Sequence, residues 1–497
     1  MNLLARIEKL GNRLPDPVSL FVIGTVFIML LSHIATLGGW VVHSELSGEL
    51  QARSMLSSEG IWWLLSHLVE NFINFPPLAI VLVGMLGIGL AEATGLLSSM
   101  LRYIIMRVPA YLLTPATMFV GIMSSVALDA GYVVLPPVAA ALYQTAGRSP
   151  LVGIAVVFAG VSAGFSANLF ITALDPLLGG LTQAGAQIIK PDYVVAVTAN
   201  WWFMIVSTVL LTAVGWMVTA WFVEPGLENE RRISPNETKN IVTIDNATGH
   251  HGLRNAVLAI CITLVIIVCF ILVPGLPLYG HGIHFDRWVE ATIPLLFILF
   301  FIPGTVYGIS AGVITNDRDI ARIMGEALAR LGPYIVLAFF AAQFIESFKY
   351  SGLGEMLAFS GGQLLSAWQI PDSLLLCSFL IVVMLANLLI GSASAKYAFF
   401  APVFVPMFMQ VGISPELTQA AYRVGDSISN TITPLNPYMV IILVHLQRYV
   451  KGSGIGTLIA LMLPYTIVFG IVWTTLLLAW LSLGLPLGPG GPLHFTL

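Results

Sequence analysis

Long apolar runs are the first constraint this sequence places on any fold. Eleven stretches of nearly uninterrupted hydrophobic residues lie near 17–37, 76–95, 112–125, 151–174, 200–223, 255–274, 288–312, 333–348, 373–391, 416–440 and 455–484. A helix crossing the hydrocarbon core of a bilayer needs about 20 mostly apolar residues, and these runs reach or approach that length. Composition supports the same reading: 57% of the 497 residues are hydrophobic and 9% are charged, whereas soluble chains carry roughly 25% charge. So little charge cannot cover a water-soluble particle of this size, which excludes a soluble enzyme and a disordered chain. A net charge of −4 offers no basic footprint for nucleic acid. Cys261, Cys269 and Cys377 sit in apolar runs without metal or redox spacing. The chain reads as an all-α polytopic membrane protein, a single integral membrane domain over 1–497.

The first run follows a polar start bearing Arg6, Lys9 and Arg13, with no small-residue cleavage site behind it. It therefore reads as a retained helix with a cytoplasmic N-terminus. Segment 39–74 sets Glu45, Glu49, Glu59 and Glu70 against Arg53, which suits the outer face. The polar stretch 224–254, with Arg231, Arg232 and Lys239, is a cytoplasmic loop too short to be a domain. Segment 316–331, with Arg318, Arg322 and Arg330, reads as a cytoplasmic amphipathic helix. Counting crossings brings out a conflict. Keeping Arg102, Arg107, Arg231, Arg232, Arg318, Arg448 and Lys451 inside demands even numbers of crossings between basic clusters. The runs give three between Arg107 and Arg231, and three between Arg330 and Arg448. Either one run in each half is not a full crossing, or a basic pair lies outside.

Both halves fail the count in the same way, and the sequence repeats. Ala130-Gly-Tyr-Val-Val-Leu-Pro-Pro-Val138 aligns with Ala395-Lys-Tyr-Ala-Phe-Phe-Ala-Pro-Val403 at an offset of about 265 residues. In that register Tyr132 meets Tyr397, Pro137 meets Pro402, Gly147 meets Gly412, and Ser149-Pro150 meets Ser414-Pro415. Ser162 then meets Ser427. After a short gap Asn168 meets Asn430, and Asp175-Pro176 meets Asn436-Pro437. The repeat units are 76–223 and 333–484. Each contains an interrupted stretch (126–146 and 392–411), a Gly-x-Ser-Pro turn, and a helix that breaks at Asn and Pro. About 20 residues with a central proline and small polar residues make a poor simple span, so 126–146 and 392–411 are expected to be re-entrant hairpins in an inverted repeat. Such backbone is tolerated at membrane depth only inside protein or along a wet cavity, and repeated broken segments point to a transporter's binding site near the midplane.

Polar residues concentrate at these breaks. Asn387, Ser392, Ser394, Lys396, Tyr397, Arg423, Asp426, Ser427, Asn430 and Asn436 fall within about 50 residues. Arg423 and Asp426, at i and i+3, share a helix face and are expected to pair; a functional pair and a buried structural one are both open. Ser392 and Ser394 suit a hairpin tip whose amides face a ligand, or simply close helix packing. Tyr397 suits stacking on an aromatic ligand, or space filling. Pro415 either positions an unwound segment or starts a helix after a turn. In the first half Asp129 lies near the hairpin's start, with Ser162, Ser166, Asn168, Thr172 and Asp175 beyond it. Asp175 before Pro176 suits Na⁺ binding or proton carriage, or else caps a helix start. No P-loop, His-Glu-x-x-His or potassium-filter motif is present in the sequence.

The strings Asn387-Leu-Leu-Ile-Gly-Ser-Ala-Ser-Ala-Lys-Tyr-Ala-Phe-Phe-Ala-Pro-Val403, Tyr422-Arg-Val-Gly-Asp-Ser427, Asn430-Thr-Ile-Thr-Pro434 and Ala163-Gly-Phe-Ser-Ala-Asn168 resemble the AbgT family of p-aminobenzoyl-glutamate transporters, over essentially the whole chain. The resemblance implies nine spanning helices plus two re-entrant hairpins per subunit of a homodimer, against the eleven apolar runs. It implies uptake of p-aminobenzoyl-glutamate or export of sulfonamide antimetabolites, coupled to protons with Na⁺ as a further candidate. The family's functional residues fall on Asp175, Asn387, Pro415, Arg423 and Asp426; Tyr397 stands where the family usually has Trp.

The expectation is a bacterial inner-membrane secondary transporter and not an enzyme. Arg423 is expected to meet an anionic group, while Asn387, Ser392, Ser394 and Asn430 hydrogen-bond the substrate and Tyr397 stacks on its ring. Asp175 or Asp426 is expected to carry the coupling ion, with Asn168 beside Asp175 in any Na⁺ site. The rivals are a dicarboxylate or drug carrier of related hairpin architecture and, from another class, an ion channel.

Overall fold

The structure, a computed structural model, describes residues 16–44, 48–127, 130–227, 248–450 and 452–496. Over these residues the fold is almost wholly helical, because backbone in hydrocarbon must satisfy its own N–H and C=O groups. Six helical segments are long and apolar enough to cross a membrane: Pro17–Leu37, Ser58–Ala93, Trp201–Leu227, His251–Leu272, Thr292–Ser310 and Ile455–Leu483. Two bent pairs, Leu96–Met106 with Ala110–Val126 (117°) and Asp317–Arg330 with Gly332–Tyr350 (49°), raise the count to eight if each is one span. Strands Val41–Ser44 and Gly48–Gln51 form an antiparallel hairpin within the segment assigned to the outer face. The amphipathic segment folds as Asp317–Arg330, opened by a capping box in which the Asn316 side chain accepts the Asp319 amide. Residues 228–247 of the polar loop lie outside the described residues, as do Arg6, Lys9, Arg13, Asp129 and Lys451.

Of the two stretches expected to be re-entrant hairpins, 126–146 has residues 128 and 129 outside the described residues, and the described backbone over each is mainly helical. Each carries a single α-helix, Ala130–Thr145 and Ala393–Met409, running through its prolines (Pro136 and Pro137; Pro402 and Pro406). Proline fixes φ near the helical value, so it weakens a helix without reversing the chain. Past each helix the chain turns at a glycine in positive φ, Gly147 at 72° and Gly412 at 85°. Ser149-Pro150 and Ser414-Pro415 then open the helices Pro150–Ala163 and Pro415–Ser429, with proline where a missing N–H costs nothing. Each second helix packs back against the first.

Pro150–Ala163 and Pro415–Ser429 have 14 and 15 residues, about 21–23 Å at the α-helical rise and short of a ~30 Å hydrocarbon core. The chain is irregular over 164–173 and 430–438 before helix resumes at Leu174–Ala186 and Met439–Gln447. The runs at 151–174 and 416–440 are thus broken helices, one in each half, where the crossing count failed. Every residue of Leu151–Ala163 and of Pro415–Ser429 is buried. The buried helices are enclosed by their neighbours, while within the breaks Phe170 and Pro437 remain exposed.

Candidate functional site

The two helix breaks meet at the centre of the molecule. The Ser166 amide donates to Ser427 Oγ at 3.2 Å, joining the first break to the second broken helix. Asn436 spans its own break by donating to the Asn430 carbonyl at 2.9 Å. Tyr132, on Ala130–Thr145, stacks on Tyr438 at the end of the second break, with ring centroids 4.3 Å apart and planes 9° apart. Between the breaks lies a cavity of about 400 Å³. Ser392, Ser394, Asn430 and Thr172 supply polar lining, and Phe165 and Tyr438 supply aromatic lining. Its far wall, Val81, Met85, Leu331 and Tyr334, comes from surrounding helices.

Behind the cavity sit two buried ion pairs. The expected pairing of Arg423 with Asp426 does not form. Arg423 Nη1 donates to Asp175 Oδ1 at 2.6 Å and Nη2 to the Ser166 carbonyl at 3.2 Å, both in the first half of the chain. Asp426 is instead paired with Lys396, Nζ to Oδ1 at 2.5 Å. The i,i+3 spacing places two side chains on one face, but each finds a closer opposite charge on a neighbouring element, and buried charge is stabilised by the partner that also completes its hydrogen bonding. Exposure of Lys396, Arg423, Asp426 and Asp175 is 0%, 1%, 2% and 6%. Asp175 Oδ2 accepts the Thr172 amide and hydroxyl at 2.6 and 2.9 Å, so this carboxylate both ties the end of the irregular segment to the resumed helix and answers Arg423.

The other predicted residues divide into two layers. Ser392, Ser394 and Asn430 reach the cavity; the two serine hydroxyls lie 3.3 Å apart at the start of Ala393–Met409. Asn387 is buried behind Asn430. Its amide nitrogen donates to Asn430 Oδ1 at 2.8 Å and to Ser429 Oγ at 2.9 Å, while its carbonyl accepts Lys396 Nζ at 2.6 Å. Tyr397 is fully buried, hydrogen-bonded to Thr182 at 2.7 Å and lying against the Tyr422 ring at 4.2 Å, rather than facing the cavity. Pro415 stands at the opposite end of its helix from Asn430. Asn168 donates to Ser125 Oγ at 2.6 Å and shares no hydrogen bond with Asp175.

Sequence reasoning missed the Tyr132–Tyr438 stack and Glu416. The latter is 1% exposed, its carboxyl oxygens accepting the Tyr193 hydroxyl at 3.1 and 3.0 Å. Glutamate in a first helical turn normally signals only favourable dipole placement, which disguised its burial. Lys396 was noticed inside the broken segment without a role. Its partner Asp426 lies 30 positions on, beyond any local pairing rule.

The model of the AbgT putative transporter family matches residues 2–495. The chain belongs to this family. It is 31% identical over 492 residues to the p-aminobenzoyl-glutamate transport protein of Escherichia coli (strain K12), covering 97% of this chain and 95% of that protein. Two solved structures are similar throughout. The Alcanivorax borkumensis YdaH transporter superposes with a TM-score of 0.91 at 40% identity, covering 96% of this chain and all of that one. Neisseria gonorrhoeae MtrF, described with a class of antimetabolite efflux pumps, gives 0.89 at 38% identity, covering 99% of this chain and all of that one. AbgT membership fits the multi-pass helical architecture.

Proposed function

We propose that this AbgT protein is a proton-driven secondary transporter of p-aminobenzoyl-glutamate-like aryl carboxylates, with sulfonamide antimetabolites as alternative cargo. The cavity between the two helix breaks carries the reading. Its volume falls in the usual range for small-molecule sites, which are mostly apolar with a few placed polar groups. Ser392 and Ser394 lie at the N-terminus of Ala393–Met409, where unpaired backbone N–H groups and the helix dipole favour an anion. Asn430 supplies an amide for the linking carbonyl, and the Tyr438 face, backed by Tyr132, takes the aryl ring.

Arg423 serves as a tie between the halves rather than as a direct clamp, since Asp175 and Ser166 hold its terminal nitrogens. Asp175 and Asp426 remain the coupling carboxylates, with Asn387 and Asn168 supporting the breaks beside them. The two hairpins move as an inverted pair around the cavity in a bacterial inner-membrane homodimer with a cytoplasmic N-terminus. The apolar Pro17–Leu37 and His251–Leu272 helices, 22% and 11% buried, present surface suited to lipid or a second subunit. The names of the E. coli and N. gonorrhoeae relatives support the cargo class. The test is flux of labelled p-aminobenzoyl-glutamate and of a sulfonamide into proteoliposomes, under proton and Na⁺ gradients imposed separately. Saturable accumulation driven by the proton gradient is expected; non-saturating flux unaffected by either gradient contradicts the reading.

A further inference from the structure

We propose that the Lys396 ammonium is a tethered cation filling what is otherwise a Na⁺-type site between Asp426 and Asn387. Its Nζ lies 2.5 Å from Asp426 Oδ1 and 2.6 Å from Asn387 Oδ1, with the Tyr422 ring 5.9 Å away. A carboxylate oxygen and an amide carbonyl beside a helix break are the ligands a hard cation takes. Asn387 is turned to present its oxygen because Asp426 O, Ser429 Oγ and Asn430 Oδ1 all accept from its nitrogen, at 3.0, 2.9 and 2.8 Å.

Stability alone does not account for a lysine here. It has no solvent exposure and sits in the first turn of Ala393–Met409, where the helix dipole opposes positive charge. Replacing a buried ion pair by apolar side chains is often neutral or stabilising. The first half has no equivalent: Gly131 occupies the matching register, and a Cβ there would collide with the Ser124 hydroxyl. Its carboxylate, Asp175, is instead met by Arg423 from the second half. Both break-associated carboxylates are therefore already held by protein cations. While Lys396 is seated, Na⁺ has no place at Asp426.

The inference concerns cation binding and stands apart from which cargo the cavity accepts, so its test needs no substrate. Thermal unfolding of the purified full-length protein is followed as NaCl replaces choline chloride at constant ionic strength. Wild type is expected to show no Na⁺-specific shift. Lys396→Ala, and Lys396→Met, which keeps most of the side-chain volume, should each gain a midpoint that rises with log[Na⁺], roughly 1–2 °C per tenfold. Adding Asp426→Asn should remove that response, and Lys396→Arg should never acquire it. A folded Lys396→Ala or Lys396→Met protein indifferent to Na⁺ overturns the proposal, as does a wild type that responds equally. If both variants can be purified only in Na⁺, that supports it; if neither folds in either salt, lysine is a structural anchor and the proposal fails.

Discussion

Arg423 and Asp175 lie 248 positions apart, are almost fully buried, and meet through a 2.6 Å hydrogen bond that is one of several links between the halves. Removing one partner leaves the other as an uncompensated buried charge, at about 3–5 kcal/mol. Arg423→Ala should therefore lower the thermal midpoint sharply. The double variant Arg423→Met with Asp175→Leu should lose much less than the sum of the single losses, and a double-mutant cycle by thermal unfolding reads that coupling. Ser392→Ala should behave in the opposite way. Its side chain is exposed at the cavity and caps Ala393–Met409 by accepting the Ala395 amide, so the loss of stability should be only about 1 kcal/mol while KM for transport rises. The sequence announced which charges matter, because Asp175, Lys396, Arg423 and Asp426 stand out in apolar surroundings. It could not announce their partners. Local spacing paired Arg423 with Asp426, whereas the real partners are brought together only by tertiary packing.

At the scale of elements, the breaks at 164–173 and 430–438 were legible because Asn, Ser and Pro recur there in register. The repeat was legible at its Gly-x-Ser-Pro turns, whose Gly147 and Gly412 take positive φ, but nothing local shows that Ala130–Thr145 and Ala393–Met409 stay helical through their prolines. Contact between the halves also depends on small residues whose sequence context shows nothing. A Cβ on Gly185, in Leu174–Ala186, would lie 2.6 Å from the Ala401 carbonyl of Ala393–Met409. Gly185→Ala must push these helices apart, and it should cost about 1–3 kcal/mol, seen as a lower thermal midpoint, with reduced transport.

At the scale of the whole molecule, the C-terminal segment laces the two halves together. The Leu487 carbonyl accepts the Phe203 amide at 2.9 Å, and the Pro489 carbonyl accepts the Thr198 hydroxyl at 2.7 Å. Further on, the Leu493 carbonyl accepts the Ser414 amide at 3.1 Å, and the Phe495 amide donates to the Gly412 carbonyl at 2.8 Å, at the glycine turn. Gly491 sits where any Cβ would collide with the Ala199 carbonyl. Gly491→Ala should loosen this lacing and lower the thermal midpoint while leaving the cavity residues in place. The cavity itself was only half legible. Its polar side was visible in the sequence, but Val81, Met85, Leu331 and Tyr334 look like any other lipid-facing or core residues until the fold brings them opposite Ser392 and Asn430.

The central claim is that this cavity holds the cargo, and equilibrium binding of labelled p-aminobenzoyl-glutamate to purified wild type and Ser394→Phe tests it most directly. Ser394 is half-exposed on the cavity wall, so a phenyl ring there fills the space without entering the ion-pair layer. The account predicts saturable binding to wild type and its loss in Ser394→Phe, with the unfolding midpoint nearly unchanged. Equal binding by both proteins would contradict it.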